Sequence, residues 1–102
     1  MLTADRLNGD ERMAALKTAR GLYGQAGYQQ GVDRASIAIL ETEAGIKKQV
    51  GSEYNALAST AEKMGDPVAR GYKREADAYE RGAERDRKLA ERIRKSLESA
   101  SK

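Results

Sequence analysis

The 102-residue sequence contains no cysteine, histidine, tryptophan or phenylalanine. Without cysteine and histidine the chain cannot form a disulfide, use a thiol or an imidazole in catalysis, or build the usual zinc site. Its 16 aspartates and glutamates leave a carboxylate metal site or a carboxylate pair open, but most of them lie within one or two helical turns of a lysine or arginine. We therefore expect a protein that is not an enzyme and that binds no cofactor or metal.

Large aliphatic side chains are also scarce, since Leu, Ile and Val together number 15, about 15% of the chain. A share this low is typical of disordered proteins when the net charge is high. Here 19 basic residues nearly balance 16 acidic ones, for a net charge of +3, so repulsion does not hold the chain open. No run approaches the roughly 18 apolar residues of a membrane span, and residues 1–6 contain no signal-peptide core. We expect the protein in the cytoplasm or within a virion.

What the sequence does contain is a helix-forming composition. Ala, Glu, Lys, Leu and Arg supply 54 of the residues, a share typical of long helices when a period of 3.5 or 3.6 residues accompanies it. The single proline, Pro67, follows Gly65 and Asp66, and these residue types in this order mark the end of one helix and the start of the next. We predict an all-α fold with a long antiparallel helical hairpin over residues 33–102 that turns at Gly65-Asp66.

The two arms of this hairpin carry matching stripes of apolar and small residues. After the turn, alanine recurs every seven residues in one set of positions and tyrosine occupies two positions of a second set, which together form a heptad seam of the coiled-coil type. Alanine lets two backbones approach closely, because the distance between helix axes follows side-chain size. A central turn pairs residues whose numbers add to about 131. The predicted hairpin seam comprises Ile39, Ile46, Val50, Leu57, Tyr72, Ala76, Tyr79, Ala83, Ala90 and Ile93.

Asp86 is the exception in this seam, because it places a charge where the pattern expects an apolar residue. The same pairing brings Asp86 near Gly45, within reach of Lys47 or Lys48. A polar residue in such a seam fixes the register of the two helices at a cost in stability. We predict an ion pair between Asp86 and one of these two lysines.

The first third of the chain has a weaker pattern. Asn8-Gly9 indicates a turn and Asp10 an N-cap, so we predict an N-terminal extension over residues 1–9 and an N-terminal helical arm over residues 10–30, with Asp33 as the N-cap of the next helix. The glycines that follow have two interpretations. Either the helix frays and ends there, since each interior glycine costs about 1 kcal/mol relative to alanine, or the glycines form a groove for another backbone.

In the groove interpretation, residues 10–64 form one long bent helix whose N-terminal arm reaches other subunits. Association of some kind is expected, because an alanine-rich hairpin buries little apolar area per residue. The predicted partner or assembly interface comprises Gly21, Tyr23, Gly24, Gly27, Tyr28, Gly31, Ile37 and Leu40.

The last third of the chain is more basic than the rest. Residues 67–102 carry 11 basic and 7 acidic side chains, whereas residues 1–66 carry 8 and 9. The acidic residues within the basic run disfavour contact with phosphate, and no aromatic stacking platform is evident. The main interpretation is therefore a solvated helix face. The candidate nucleic-acid contacts are Arg85, Lys88, Arg92 and Lys95.

Two resemblances bear on function. The length and the hairpin are similar to the class of small secreted helical hairpins with a Trp-x-Gly turn, but Gly65-Asp66-Pro67 stands at this turn. Ala76 and Ala83 also stand four residues after a tyrosine, where that class has an acid, so the class is not assigned. The Ala, Gln, Gly and Arg content of residues 14–58 is similar to that of small helical virion and ejection proteins of tailed phages.

The sequence thus predicts a non-enzymatic structural or assembly protein that acts through helix–helix association in a multi-subunit complex, and in its concrete form a phage virion or ejection component. The alternative is a small dimeric helical-hairpin binding protein, secreted or regulatory. A third interpretation is a weak nucleic-acid binder that uses the basic C-terminal helix. The expected partner is protein, as further copies of the chain or a larger complex, and no membrane span is expected.

Overall fold

The fold is all-α. A computed structural model describes the backbone of residues 2–101 and the side chains of residues 9–100, and within that range it contains three helices and no strand. They are α1 (Leu2–Gln25), α2 (Gln29–Lys63) and α3 (Ala69–Ser101). The predicted helical hairpin with an additional N-terminal helix is confirmed.

The turn between α2 and α3 follows from its local sequence. Gly65 has a φ of 70°, a conformation that costs other residues energy. Its N–H donates to the Glu62 carbonyl, and the Asp66 N–H donates to the Ala61 carbonyl, which is the Schellman pattern of helix termination. The Asp66 carboxylate then accepts a hydrogen bond from the Val68 N–H, 3.0 Å away. Asp66 therefore caps the chain as it enters α3.

The turn between α1 and α2 uses the same device. Gly27 has a φ of 73°, its N–H donates to the Gly24 carbonyl, and the Tyr28 N–H donates to the Tyr23 carbonyl. The rings of Tyr23 and Tyr28 meet edge to face with centroids 5.6 Å apart, which supplies the side-chain contact that often accompanies this motif. The two chain reversals are therefore equivalent in their backbone hydrogen bonds.

Several predicted helix boundaries are wrong. The turn at Asn8-Gly9 and the N-cap at Asp10 do not form, because α1 runs through them. Gly9 packs against Ile46, where a Cβ atom would lie 3.1 Å from Ile46 Cδ1, so tertiary contact outweighs the local turn preference. The continuous helix over residues 10–64 is also wrong, since the chain reverses at Gly27.

The starts of the two longer helices differ from prediction as well. Helix α2 begins at Gln29, four residues before the predicted cap, because the chain re-enters the helix directly after Gly27. Asp33 instead lies inside the first turns, where its carboxylate accepts a hydrogen bond from the Gln29 amide. Helix α3 begins at Ala69, after a tight turn in which the Ala69 N–H donates to the Asp66 carbonyl.

The helices lie side by side with α2 in the middle. Both α1 and α3 pack against α2, and no contact joins α1 to α3 in the part of the chain that the structure describes. The principal extents of 56 × 27 × 17 Å and the radius of gyration of 17.3 Å describe an elongated, flat molecule, since a compact domain of this length has a radius of about 13 Å. Each outer helix therefore has one face on α2 and the rest open to solvent.

The α2–α3 interface is built from small residues at intervals of seven. On α3 the buried apolar residues are Ala69, Ala76, Ala83 and Ala90, with Ala76 completely inaccessible. On α2 the buried positions Ile37, Ala44, Gly51 and Ala58 repeat with the same interval. A Cβ atom at Gly51 would lie 3.4 Å from the Ala76 carbonyl oxygen, so the two backbones approach closely there.

The residues of α2 that face α3 therefore differ from those in the predicted seam, which was based on the large aliphatic residues of α2. Ile46 contacts Gly9 on α1, and Ile39, seven residues earlier, shares that side of α2 and is buried. Val50 is half-buried, and Leu57 is 47% exposed at the edge of the hairpin. Size explains the difference, because close packing selects alanine and glycine for the seam and leaves the larger residues to its flanks.

Candidate functional site

The charged pair inside the seam joins Asp86 to Lys47. Lys47 Nζ lies 3.0 Å from Asp86 Oδ2, and the two side chains are 32% and 12% exposed. The ammonium and the carboxylate thus form an ion pair that is partly shielded from solvent. The Lys47 side chain also crosses Gly82, where a Cβ atom would lie 3.2 Å from Lys47 Cδ. Lys48, the other predicted partner, is exposed and lines a groove with Glu84 and Arg87.

Three tyrosines form a cluster next to this pair. The Tyr54 ring stacks on Tyr79 with centroids 5.8 Å apart and lies 6.1 Å from Tyr72 at a tilt of 38°. The seam prediction included Tyr72 and Tyr79 but missed Tyr54. The sequence does contain a pattern that indicates Tyr54, because this residue lies seven positions from Lys47 and from the buried Ala61. In a chain without Phe or Trp, these rings supply the bulk that alanine lacks.

The glycines of the predicted partner interface do not form one surface in the structure. Gly31 is buried beneath two rings of its own chain, because a Cβ atom there would lie 2.5 Å from Tyr28 Cδ1 and 2.6 Å from Tyr23 Cγ. Gly21 has no atom within 4 Å of a Cβ position, and Gly24 has only Val32 Cγ2, at 3.9 Å. Gly27 makes the turn. The glycines thus serve separate purposes and do not line one groove.

An exposed apolar group surrounds the α1–α2 turn, which we call the aromatic corner (Leu22, Tyr23 and Tyr28). Their exposed fractions are 60%, 40% and 47%. The two tyrosines also line an open groove of about 340 Å³ between α1 and α2. Of the other predicted interface residues, Ile37 is buried in the monomer and Leu40 is half-buried.

A second exposed apolar group, the turn patch (Leu57, Met64 and Val68), lies at the opposite end of α2. Met64 is 77% exposed, and the three residues join Tyr72 around a shallow groove of about 190 Å³. Helix α2 is longer than α1 by 11 residues. The turn patch lies on the end of α2 that extends past α1, so neighbouring helices leave it open.

Further ion pairs join the two arms of the hairpin near its ends. Lys73 Nζ lies 2.6 Å from Glu62 Oε1 beside the turn, and this hydrogen bond raises the pKa of Lys73 above its ordinary value. At the other end, Arg94 pairs with Glu41. Both pairs are exposed, so each contributes little by itself to the stability of the hairpin.

The candidate nucleic-acid contacts Arg85, Lys88, Arg92 and Lys95 are all exposed on α3. Glu84 and Glu91 lie four residues before Lys88 and Lys95, but neither glutamate pairs with that lysine. Glu84 instead meets Arg87 at 3.8 Å, and Glu91 meets Arg94 at 3.2 Å. Lys88 and Lys95 therefore make no ion pair with these two glutamates.

Among the residues whose placement is described, no group of three or more carboxylates could hold a metal ion. The same part of the chain contains no helix that is long and apolar enough to cross a membrane. Comparison with known proteins finds no matching family model, no significantly similar curated protein and no significantly similar solved structure.

Proposed function

We propose that this chain is a non-enzymatic structural protein that assembles with further copies of itself through helix–helix contacts. One observation supports the proposal most strongly: no large side chain within residues 9–100 is fully buried. The core consists of alanines with Ile37, Ile39 and Met13. Because a small domain depends on buried apolar area for its stability, a core this thin favours a fold that is completed by association.

The positions of the exposed apolar groups support the same proposal. The turn patch and the aromatic corner lie at opposite ends of α2, so one chain can contact a neighbour at each end. Contacts between unlike surfaces of identical chains generate rings or filaments, the geometry of a multi-subunit complex. A phage virion or ejection component is the concrete form of this proposal, supported by the composition of residues 14–58.

Sedimentation across a wide range of protein concentration tests the proposal, together with the helix signal in circular dichroism on heating. We expect mass and melting temperature to rise together with concentration, as mass action requires when only the associated state is well packed. A monomer with a sharp melt at every concentration would contradict the proposal. A dimer of fixed mass would favour the alternative of a small dimeric binding protein.

Variants make the test specific to a surface. The triple variant Leu57→Ser, Met64→Ser and Val68→Ser removes the turn patch, and we expect it to shift the distribution toward monomer. Leu89→Ser is the control, because Leu89 is 46% exposed but lies on α3 away from both apolar groups. Equal loss of association in both proteins would show that general hydrophobicity, and not the turn patch, drives assembly.

The virion form has its own measurement, which is mass spectrometry of purified phage particles. We expect peptides of this chain in particles purified through a density gradient. Their absence would remove the virion form while leaving association of the chain intact.

A further inference from the structure

Four basic residues of α3 form a line along one side of the helix, which we call the basic ridge (Arg74, Arg81, Lys88 and Lys95). They stand seven residues apart, and all four are exposed. At a rise of 1.5 Å per residue, successive members lie about 10.5 Å apart and the ridge is about 32 Å long. Each member follows a seam alanine by five residues, which places the ridge about 140° around the helix from α2.

Four acidic residues of α3 (Asp77, Glu84, Glu91 and Glu98) lie beside this ridge at the same interval of seven residues, but none of them forms an ion pair with it among the described residues. Glu84 and Glu91 lie between the ridge and two arginines nearer to α2, Arg87 and Arg94. Each glutamate can therefore turn toward the ridge or toward α2. In the structure both turn toward α2, to Arg87 and Arg94. Arg94 is held on that side by Glu41 of α2.

Two other acidic residues of α3 also point to partners on α2. Asp86 pairs with Lys47, and the Glu80 carboxylate lies 3.5 Å from the Asn55 amide. Across the described side chains, the four members of the basic ridge make no ion pair. The hairpin contacts thus draw Glu80, Glu84, Asp86 and Glu91 toward α2, whereas Asp77 and Glu98 remain beside the ridge and reduce the net positive charge of that side.

The surface next to the ridge adds charge and little apolar area. Arg85 and Arg92 are exposed next to the ridge, on the side of α3 opposite α2, so they widen the basic surface. The tyrosines of α3 turn inward to Tyr54. Leu89 is the sole large apolar side chain that is exposed on the described part of α3, so this surface lacks the apolar face that an interfacial membrane helix inserts into lipid.

We propose that the basic ridge binds the phosphate backbone of duplex DNA without sequence preference. A linear array of unpaired cations matches a linear polyanion, and duplex DNA has a high linear charge density, about one charge per 1.7 Å. The ridge offers no aromatic side chain on which an unpaired base could stack, so single strands gain no stacking energy from it. This binding does not depend on the proposed assembly function, because the ridge belongs to each chain.

The test measures binding of the full chain to a short labelled DNA duplex of mixed sequence as a function of salt. Four phosphate contacts predict a slope of log affinity against log salt of about −3.6, so binding weakens about 150-fold between about 50 and 200 mM salt. A duplex of different sequence should bind equally well. Absence of binding at 50 mM salt would overturn the proposal.

Two matched variants separate the ridge from general charge. Replacing Arg74, Arg81, Lys88 and Lys95 by Gln removes the ridge. Replacing four exposed basic residues of α1 and α2 lowers the net charge by the same amount, from +3 to −1. The control variant carries the changes Arg12→Gln, Lys17→Gln, Lys48→Gln and Lys63→Gln.

We expect the ridge variant to bind at least tenfold more weakly at 50 mM salt and with a flatter salt slope, while the control variant keeps the slope of the unmodified protein. Equal loss in both variants would overturn the proposal, since net charge alone would then explain binding. Equally tight, ridge-dependent binding to vesicles containing phosphatidylserine would also overturn it, in favour of an anionic membrane surface. Circular dichroism of both variants confirms that the helices are retained.

Discussion

The two helix pairs of this molecule share a turn and differ in nearly everything else. The α1–α2 and α2–α3 reversals both end on a glycine at a φ near 70°, with the same pair of backbone hydrogen bonds. The α2–α3 pair then continues through a seam of small residues, a tyrosine cluster and three ion pairs. Among its described side chains, α1 makes no ion pair with α2, and Met13 is its single buried apolar residue.

The turn therefore determines only the direction in which the second helix runs, whereas the contacts along the interface determine how strongly the two helices hold together. A glycine with positive φ reverses the chain whatever follows it. How firmly the helices then hold together depends on the contacts along their length, and these favour α2–α3. We expect α1 to open at lower free energy than the hairpin does, as is usual for elements with few buried contacts.

The largest expected effect on stability comes from enlarging a side chain at the centre of the α2–α3 seam. Ala76→Leu adds bulk at a position with no accessible surface, next to the close approach at Gly51. Overpacking of this kind typically costs 1–3 kcal/mol, and we expect about 3 kcal/mol because the obstacle is backbone. Urea denaturation at fixed protein concentration measures it. Ala78→Leu, on the exposed side of the same helix, is the control, and equal midpoints for the two variants would refute close packing at this seam.

The next largest effect concerns the packing of α1 against α2. Gly31→Ala places a Cβ atom against the Tyr23 and Tyr28 rings, so the rings must move and we expect a loss of about 1–2 kcal/mol. The loss should be local: amide hydrogen exchange in α1 should accelerate while that of α2 and α3 stays unchanged. Gly21→Ala, which meets no atom within 4 Å, should instead stabilise α1 by up to about 1 kcal/mol. Uniform acceleration in all three helices would contradict the difference between the two pairs.

A smaller effect is expected from the charged pair in the seam. Asp86→Asn removes the partner of Lys47, whose side chain is already 32% exposed and can turn toward water. We therefore expect a loss of about 1 kcal/mol, below the 3–5 kcal/mol of a fully buried pair. The double variant Lys47→Leu and Asp86→Leu should be at least as stable as the unmodified protein by thermal melting. A double variant less stable than Asp86→Asn would mean that the pair contributes net stability beyond its role in fixing register.

The smallest effect depends on pH. Because Glu62 raises the pKa of Lys73 above the ordinary value of 10.5, the pair stabilises the fold below about pH 10.5, and this contribution is lost as pH rises through the raised pKa. Lys73→Met should therefore lower the melting temperature slightly at pH 8 and leave it unchanged at the most alkaline pH. Lys63→Met, which removes a lysine without an ion pair among the described residues, should show no such trend. A difference that persists above the raised pKa would rule out the ion pair as its cause.

Prediction from sequence succeeded where local chemistry decides the structure. Gly65, Asp66 and Pro67 carry the turn in their residue types, and the Asp86 contact with Lys47 followed from the register that the turn sets. It failed at Gly9, where contact with Ile46 overrides a turn signal. The tyrosine cluster was only partly found, because Tyr54 belongs to the seam by its spacing and not by an obvious apolar stripe.

The sequence by itself determined the all-α class, the position of the α2–α3 turn and the alanine seam of α3, because backbone propensity, capping and a seven-residue period act within one segment. Tertiary structure alone decided which side of α2 faces which neighbour. It also decided that Glu84 and Glu91 turn toward arginines beside α2. Both outcomes depend on the distance between helices, which is set by the smallest residues on each surface and by groups far apart in the chain.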